Sequence, residues 1–253
     1  MKFKLFLILF TFSIIKILGT GQQPDKIIIN NKEYDLLNNP LDAYFEKHPD
    51  DHPIYGPKIR KKTEKELMIP FSTSNYRGYI ATFKIENNTL SLVDLKLLDL
   101  DSGKDRYISV FKKIFGDRKV DLNYSGILVI PTGELLESAH FGYSYLYDKY
   151  HLMTIQRDAV IKEKELNKDE FIRFKVDQFK AYKNTEEYKT EVKNHLKSWN
   201  GDKKFELSRK NTRGMSKKEI AQLKKEYEFP PSEEHINNFL FVLINPDFVI
   251  IDY

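Results

Sequence analysis

The stretch Tyr76–Leu98 constrains the fold of this chain most strongly. There "RGYIATFKI" and "TLSLVDLKLL" flank Glu86-Asn87-Asn88. Successive side chains of a strand point to opposite faces, so Tyr79, Ala81, Phe83 and Ile85 share one face. Leu90 and Leu92, and across the pleat Val93 and Leu95, continue the apolar pattern on the return arm. Asparagine tolerates the positive φ that a tight hairpin turn demands. The segment reads as a β-hairpin with one face buried.

The same apolar–turn–apolar pattern recurs along the chain. Asp25–Leu37 turns at Asn30-Asn31, Tyr124–Leu136 at Pro131-Thr132-Gly133, and Tyr150–Leu166 at Gln156-Arg157-Asp158. The C-terminal "FLFVLINPDFVIIDY" turns at Asn245-Pro246-Asp247 and is apolar on both faces. Such a run predicts a strand pair covered on both sides and central in its sheet. Short helices are expected from Asn39-Pro40 to Pro49, and over Asp105–Phe115 before Gly116.

From Asn167 the character changes. No Gly or Pro occurs between Asn167 and Trp199. Asn167 with Glu170 has capping-box spacing. Phe171, Phe174, Gln178 and Tyr182 form one stripe; Tyr188, Val192, Leu196 and Trp199 form another, out of phase, with Thr185 as a new cap. Ser216 with Glu219 caps a further helix that Pro230-Pro231 ends. The fold class expected is α+β. An antiparallel sheet of successive hairpins is covered by helices from the C-terminal half, about 167–228, and closed by the C-terminal hairpin. One domain over 22–253 accommodates this.

The first residues carry a different message. Lys2 and Lys4 precede an apolar run from Leu5 to Ile15, and Gly19-x-Gly21 follows. A basic start, a short apolar core and a small-residue end read as a secretory signal over 1–21, too short to span a bilayer as a helix. An uncleaved anchor or a buried N-terminal strand are the alternatives. Cleavage after Gly21 removes three lysines and no acid, leaving 38 Lys+Arg against 37 Asp+Glu. That balance removes the compositional case for a nucleic-acid partner. No second apolar run is long enough to cross a membrane. The expected location is periplasmic or secreted. The absence of cysteine rules out disulfides, a lipoprotein anchor and thiol chemistry.

"YRGYIATFKIENNTLSLVDL", "YSGILVIPTGELLESAHFGYSYLYDKYHLMTI" and "KIIINNKEYDLLNNPLDAYF" together resemble an uncharacterised family of bacterial exported or cell-associated proteins. Those motifs are glycines, aromatics and strand hydrophobics. The family has no assigned activity, so the resemblance transfers no role to any residue.

There is no Gly-x-Ser-x-Gly elbow, and "DSGKDR" lacks the pattern of a phosphate loop. "HPDDH" places His48 and His52 four apart, but Pro49 and Pro53 oppose the helix that would make them converge, so a polar turn is expected. "DLDSGKDRYISV" begins like a calcium loop at Asp99 and Asp101. It carries Lys104 where the turn glycine belongs and Val110 where the bidentate glutamate belongs, so it reads as a turn with Asp105 leading into a helix. No metal and no cofactor is expected. The most function-like stretch is "HFGYSYLYDKYH". If extended, it puts Tyr143, Tyr145 and Tyr147 on one face, a row able to stack sugar rings or flat ligands. His140, Asp148 and His151 complete the candidate ligand-binding set. The plainer reading is tyrosines packing sheet against helix. The expected function is non-catalytic binding in the envelope or outside the cell; the alternative is a hydrolase of envelope or extracellular material using His140, Asp148 and His151. The basic loop Lys203–Lys218 reads as a solvated loop or an envelope- or polyanion-contact patch.

Overall fold

The computed structural model describes residues 22–59, 74–98, 107–138, 145–208, 211–243 and 248–253. The chain divides into two compact units, Met1–Lys175 with Asp247–Tyr253, and Val176–Pro246. The described residues are α+β, as expected: six α-helices and a large, mostly antiparallel sheet.

In the first unit, β1 (Asp25–Ile29) and β2 (Lys32–Leu36) form the first hairpin. Asn30 and Asn31 make its turn at φ 51° and 61°. The chain then runs through α1 (Pro40–Lys47) and a 3-10 turn (Pro49–Asp51). It returns as β3 (Tyr79–Glu86) and β4 (Thr89–Leu98), whose turn uses Asn87 and Asn88 at φ 49° and 57°. β3 lies parallel to β1, the exception in the sheet. Thr82 pairs with Asp94 but Phe83 with Leu92, so Val93 is a bulge. One extra residue inverts the pleat. It explains how Leu90, Leu92, Leu95 and Leu97 are all buried while Val93 is 39 % exposed.

β5 (Tyr107–Ser109) pairs with Lys96–Leu98 of β4, and α2 (Phe111–Phe115) follows. The single helix expected over Asp105–Phe115 is therefore corrected. The free backbone edge of β4 captures Tyr107–Ser109 as a strand, leaving a short helix that stops at Gly116 (φ 66°). The hairpin expected at Pro131-Thr132-Gly133 is corrected as well. β6 (Gly126–Pro131) pairs with β9 (Lys149–Gln156), and β7 (Leu135–Ser138) pairs with β8 (Tyr145–Tyr147). These are two stretches of one long hairpin, kinked where Thr132 N and Gly133 N both donate to Lys149 O at 3.1 and 3.3 Å. β9 turns at Arg157 and Asp158 (φ 47° and 67°) into β10 (Ala159–Asn167), as the third expected hairpin. Ile161 is a second bulge, between Val160 and Lys162, and is 56 % exposed.

The main sheet runs β2-β1-β3-β4-β10-β9-β6, with β5 on β4. Its two ends are brought together. Leu37 N donates to Val129 O at 2.9 Å. The buried Asn38 side chain accepts from Val129 N (3.1 Å) and donates to Ile127 O (2.7 Å). Bulges increase strand twist, and two of them help the sheet curl this far. Inside the curl lies the main core, built from Ile27, Tyr79, Phe83, Leu95, Leu128 and Met153 and closed by Leu41, Tyr44 and Phe45 of α1. On the opposite face a second core gathers Ile127, Val129, Tyr150, Leu152 and Leu166 under Phe171 and Phe174 of α3 (Lys168–Tyr182). The capping box at its start is present: Asn167 Oδ1 accepts from Glu170 N at 3.0 Å and Glu170 Oε2 from Asn167 N at 2.9 Å.

The C-terminal hairpin is not formed. Phe239–Leu243 belongs to helix α6, which spans Glu233–Leu243, and Phe248–Tyr253 is not a strand. A short apolar run does not separate strand from helix by periodicity; the cap decides it. Ser232 Oγ accepts from His235 N at 3.2 Å, Glu233 and Glu234 occupy the first turn, and Ile236 and Leu240, one turn apart, are each 2 % exposed. Residues 244–247, where the turn was expected, lie outside the described residues. The chain end instead reaches the second core through Ile251 and Tyr253, and Tyr253 bonds Thr154 Oγ1 at 2.8 Å.

The second unit holds the end of α3, α4 (Glu186–Glu206), α5 (Lys217–Glu226) and α6. Thr185 caps α4 and the Ser216–Glu219 capping box starts α5. Phe179 meets Phe241 at 5.3 Å, Tyr182 meets Tyr188 at 5.7 Å, and Tyr188 Oη donates to Asn237 Oδ1 at 2.7 Å. Among the described residues no helix is long and apolar enough to cross a membrane.

Candidate functional site

β8 carries the described part of the aromatic stretch. It is held from behind by Tyr150, a fully buried residue at the start of β9. The Tyr150 ring stacks on Phe171 at 3.6 Å. Its hydroxyl accepts from Tyr147 N at 2.8 Å and donates to Tyr145 O at 3.4 Å. Burial pushes the Tyr150 hydroxyl up to about 12, so it remains a neutral donor and acceptor. A kinked hairpin arm is thereby tied to the helix through one side chain.

Tyr145 and Tyr147, two apart on the strand, face the same open cavity of about 320 Å³. Gln22, Gln23, Pro24, Asp35 and Ser74 complete its lining. The Gln22–Pro24 wall is clamped rather than loose. Gln23 N donates to Ser74 O at 2.6 Å, Tyr76 N to Gln22 Oε1 at 3.0 Å, and Tyr107 Oη to Gln23 Oε1 at 2.8 Å. Beside it the Asp25 carboxylate, wholly buried, takes Arg77 Nη1 at 2.7 Å and Ala81 N at 2.8 Å. Burial raises the Asp25 pKa despite the guanidinium. Asp35 is paired with Lys26 at 2.5 Å, and both side chains are about one-third exposed. Burial first, then the Asp35 charge, raises the Tyr147 pKa. The cavity thus offers two phenol rings, two carboxamides, a hydroxyl and a carboxylate around an open space. Ring stacking and multiple hydrogen bonds are what that set supplies.

Of the residues singled out from sequence, Tyr145 and Tyr147 are brought together here. His140 and Tyr143 lie outside the described residues, as do Asp99, Asp101 and Asp105. Asp148 and His151 do not line the cavity. Asp148 Oδ1 accepts from Glu134 N at 2.5 Å and shapes the hairpin kink. Gly133 is required there, because a Cβ would meet Asp148 Oδ1 at 1.7 Å. His151 Nε2 lies 3.1 Å from Glu163 Oε2 on the neighbouring strand. Sequence reasoning missed Gln22, Gln23, Asp35 and Ser74, which come from distant segments and carry no local motif. Tyr150 stood in the aromatic stretch, but its role is visible only once β9 is placed.

The HPDDH segment is the polar turn expected of it. His48 stacks on Tyr44 at 4.3 Å. His52 Nδ1 accepts from Ile54 N and Tyr55 N at 3.1 and 3.2 Å, and burial lowers its pKa. Asp51 between them is 6 % exposed and takes Tyr44 Oη and Arg118 Nη2, each at 2.6 Å, together with Lys58 Nζ. Two cations and a phenol around one carboxylate lock α1 to the segment after α2. Among the described residues no group of three or more His, Asp or Glu is placed to hold a metal ion.

No family model matches the chain, and no curated protein or solved structure matches it either.

Proposed function

We propose that this is an exported protein that binds a ring-bearing, hydroxyl-rich ligand, a saccharide of the cell envelope or surroundings, in the cavity between Tyr145–Tyr147 and Gln22–Pro24. The observation that carries the reading is the pairing of two same-face tyrosines with amide, hydroxyl and carboxylate groups in one open cavity. Aromatic faces stack on the apolar faces of sugar rings, and the polar groups satisfy their hydroxyls. Binding is favoured over hydrolysis because Asp148 is engaged at the kink and His151 beside Glu163, away from the cavity lining. Export rests on Lys2, Lys4, the Leu5–Ile15 run and Gly19-x-Gly21. Cleavage after Gly21 makes the clamped wall Gln22–Pro24 the first residues of the mature chain.

The test titrates the protein with soluble oligosaccharides released from envelope and extracellular polysaccharides, following tyrosine ring resonances. Tyr145→Ala and Tyr147→Ala are half-exposed strand positions and should abolish the shifts while the thermal transition survives. Unchanged binding in both variants sinks the cavity as the site. Cleavage of any oligosaccharide, lost in His151→Gln, sinks the non-catalytic reading. Intact-mass analysis of exported protein tests the processing separately.

A further inference from the structure

Cleavage after Gly21 makes Gln22 the first residue of the mature chain, and the structure fixes its surroundings. Gln23, next to it, is pinned at three points. Its N donates to Ser74 O at 2.6 Å, its Oε1 accepts from Tyr107 Oη at 2.8 Å, and its O accepts from Arg77 Nη2 at 3.1 Å. Gln22 itself is half-buried in the cavity wall, and its side-chain Oε1 accepts from Tyr76 N at 3.0 Å. The terminal residue is thus held both by its main chain and by its carboxamide.

A terminal glutamine carries a nucleophile and an electrophile in one residue. Its α-amine and its side-chain Cδ can close a five-membered lactam, an intramolecular step that needs no encounter. An α-amine titrates at about 8, so part of it is uncharged and nucleophilic near neutral pH. Two features of this structure favour closure. Attack on Cδ builds negative charge on Oε1, and that oxygen already faces the Tyr76 N–H. A donor aimed at the atom where charge develops lowers the barrier. The second feature is the charge around the wall. Asp25 takes Arg77 at 2.7 Å and Asp35 takes Lys26 at 2.5 Å. Among the described residues, the two carboxylates beside this wall are therefore already committed to cations, and a terminal ammonium would have to compete for them.

We propose that Gln22 is a modification site, and that the mature chain begins with a pyroglutamyl residue whose closure is assisted by Tyr76 N–H. The uncharged α-nitrogen attacks Cδ and the new C–N bond forms. The Cδ–Nε2 bond breaks, a proton passes from the α-nitrogen to Nε2, and ammonia leaves. No oxidant, reductant or second substrate takes part. Oε1 remains a carbonyl oxygen, still an acceptor for Tyr76 N, while the terminal positive charge is removed from the cavity wall. The inference rests on the export reading; it does not depend on the ligand proposed for the cavity.

The exported protein is recovered, its intact mass is measured and its terminus is challenged with an amine-labelling reagent. The expected chain runs from Gln22 to Tyr253, is lighter than that sequence by one ammonia, and resists labelling. A chain at the full mass with a labelled Gln22 amine overturns the proposal and leaves export standing. A chain that keeps the Leu5–Ile15 run, or begins elsewhere, overturns both the proposal and the processing it rests on. A second measurement isolates Tyr76. The chain is released with a free Gln22 terminus and held at neutral pH while ammonia and mass are followed. Asn75 O accepts from Gly78 N at 3.1 Å, so Tyr76 is the second residue of a turn, a position that favours proline. Tyr76→Pro removes only the N–H from that turn and should slow closure about two- to tenfold. Where that variant does not fold, the parent unfolded in urea replaces it and should also close more slowly than the folded chain. Gln22→Glu should keep its amine and its mass through the same incubation. Equal rates in the parent and the comparison chain overturn the role given to Tyr76.

Discussion

Tyr150→Phe removes one oxygen atom and isolates how the candidate site is held. The phenyl ring that stacks on Phe171 at 3.6 Å is retained, so no cavity opens in the second core. What is lost is the acceptor for Tyr147 N at 2.8 Å and the donor to Tyr145 O at 3.4 Å. The second contact is long enough to contribute little. The first leaves a half-buried amide without its acceptor, which costs about 1–2 kcal/mol. For a unit of this size that is a fall in melting temperature of roughly 2–8 °C. Tyr150→Ala deletes the ring as well and should cost about 3–5 kcal/mol. The informative readout is amide exchange. β8 pairs with β7 on one side only, so in the Phe variant exchange at Tyr147 should rise about tenfold while core amides such as Leu152 change by no more than the global loss. Ligand affinity should fall with it, because Tyr145 and Tyr147 are no longer fixed. If Tyr147 exchanges as slowly in Tyr150→Phe as in the parent, β8 is held by β7 alone and the positioning argument is wrong.

Three other outcomes can be checked by chemical denaturation. Gly133→Ala should destabilise by more than about 2 kcal/mol, since the new Cβ meets Asp148 Oδ1 at 1.7 Å, whereas Gly201→Ala, in helix α4 with nothing within 4 Å, should stabilise by about 0.5–1 kcal/mol. Burial alone would raise the Asp51 pKa, but the hydrogen bonds from Lys58, Tyr44 and Arg118 outweigh it and lower it. The stability this contributes is complete above the ordinary carboxylate range and is lost as pH falls through the depressed folded value, so Asp51→Asn should flatten the acid limb of a stability–pH profile. Ile250→Ala, at a residue 50 % exposed, should cost under about 1 kcal/mol, while deletion of Ile251–Tyr253 removes the Thr154 bond and the ring over Lys162 and should cost about 2–4 kcal/mol without unfolding the sheet.

The local signals were the legible ones. Asn30-Asn31, Asn87-Asn88 and Arg157-Asp158 turn where residues tolerant of positive φ interrupt apolar alternation. Asn167, Thr185 and Ser216 cap helices because their side chains reach backbone amides two or three residues on. Phe171, Phe174, Gln178 and Tyr182 are all buried, as one helical stripe should be. The parts that failed depend on partners remote in sequence. Tyr107–Ser109 becomes a strand because β4 offers an edge, and β6 ignores its neighbour β7 because β9 is available. Val93 and Ile161 look like core residues in the sequence; only the register of the opposing strand shows them to be bulges. For the site, the tyrosine face could be read from alternation, but its opposite wall could not.

The bulges connect these two levels of description. A flat sheet of this strand order would hold β2 and β6 at opposite edges, with Asn38 in solvent and the Gln22–Pro24 segment far from β8. Val93 and Ile161 each add one residue to a strand, increase its twist, and push an apolar side chain outward. The outward Val93 and Ile161 are the cost. The return is a sheet curled enough for Leu37 and Asn38 to bond Val129, which sets β2 beside β6 and its continuation toward β8. Asp35 on β2 and Tyr147 on β8 then line one cavity. By this argument a deletion of Val93 that restores regular pairing is more damaging than Val93→Ala, although the side chain lost is the same. The alanine variant keeps the bulge and should melt near the parent. The deletion leaves Asp94 opposite Thr82 and Leu95 opposite Ala81, so the leucines stay inward, but it removes the local twist and opens the seam at Asn38. If the deletion variant is as stable as Val93→Ala, the curl of the sheet does not depend on the bulge.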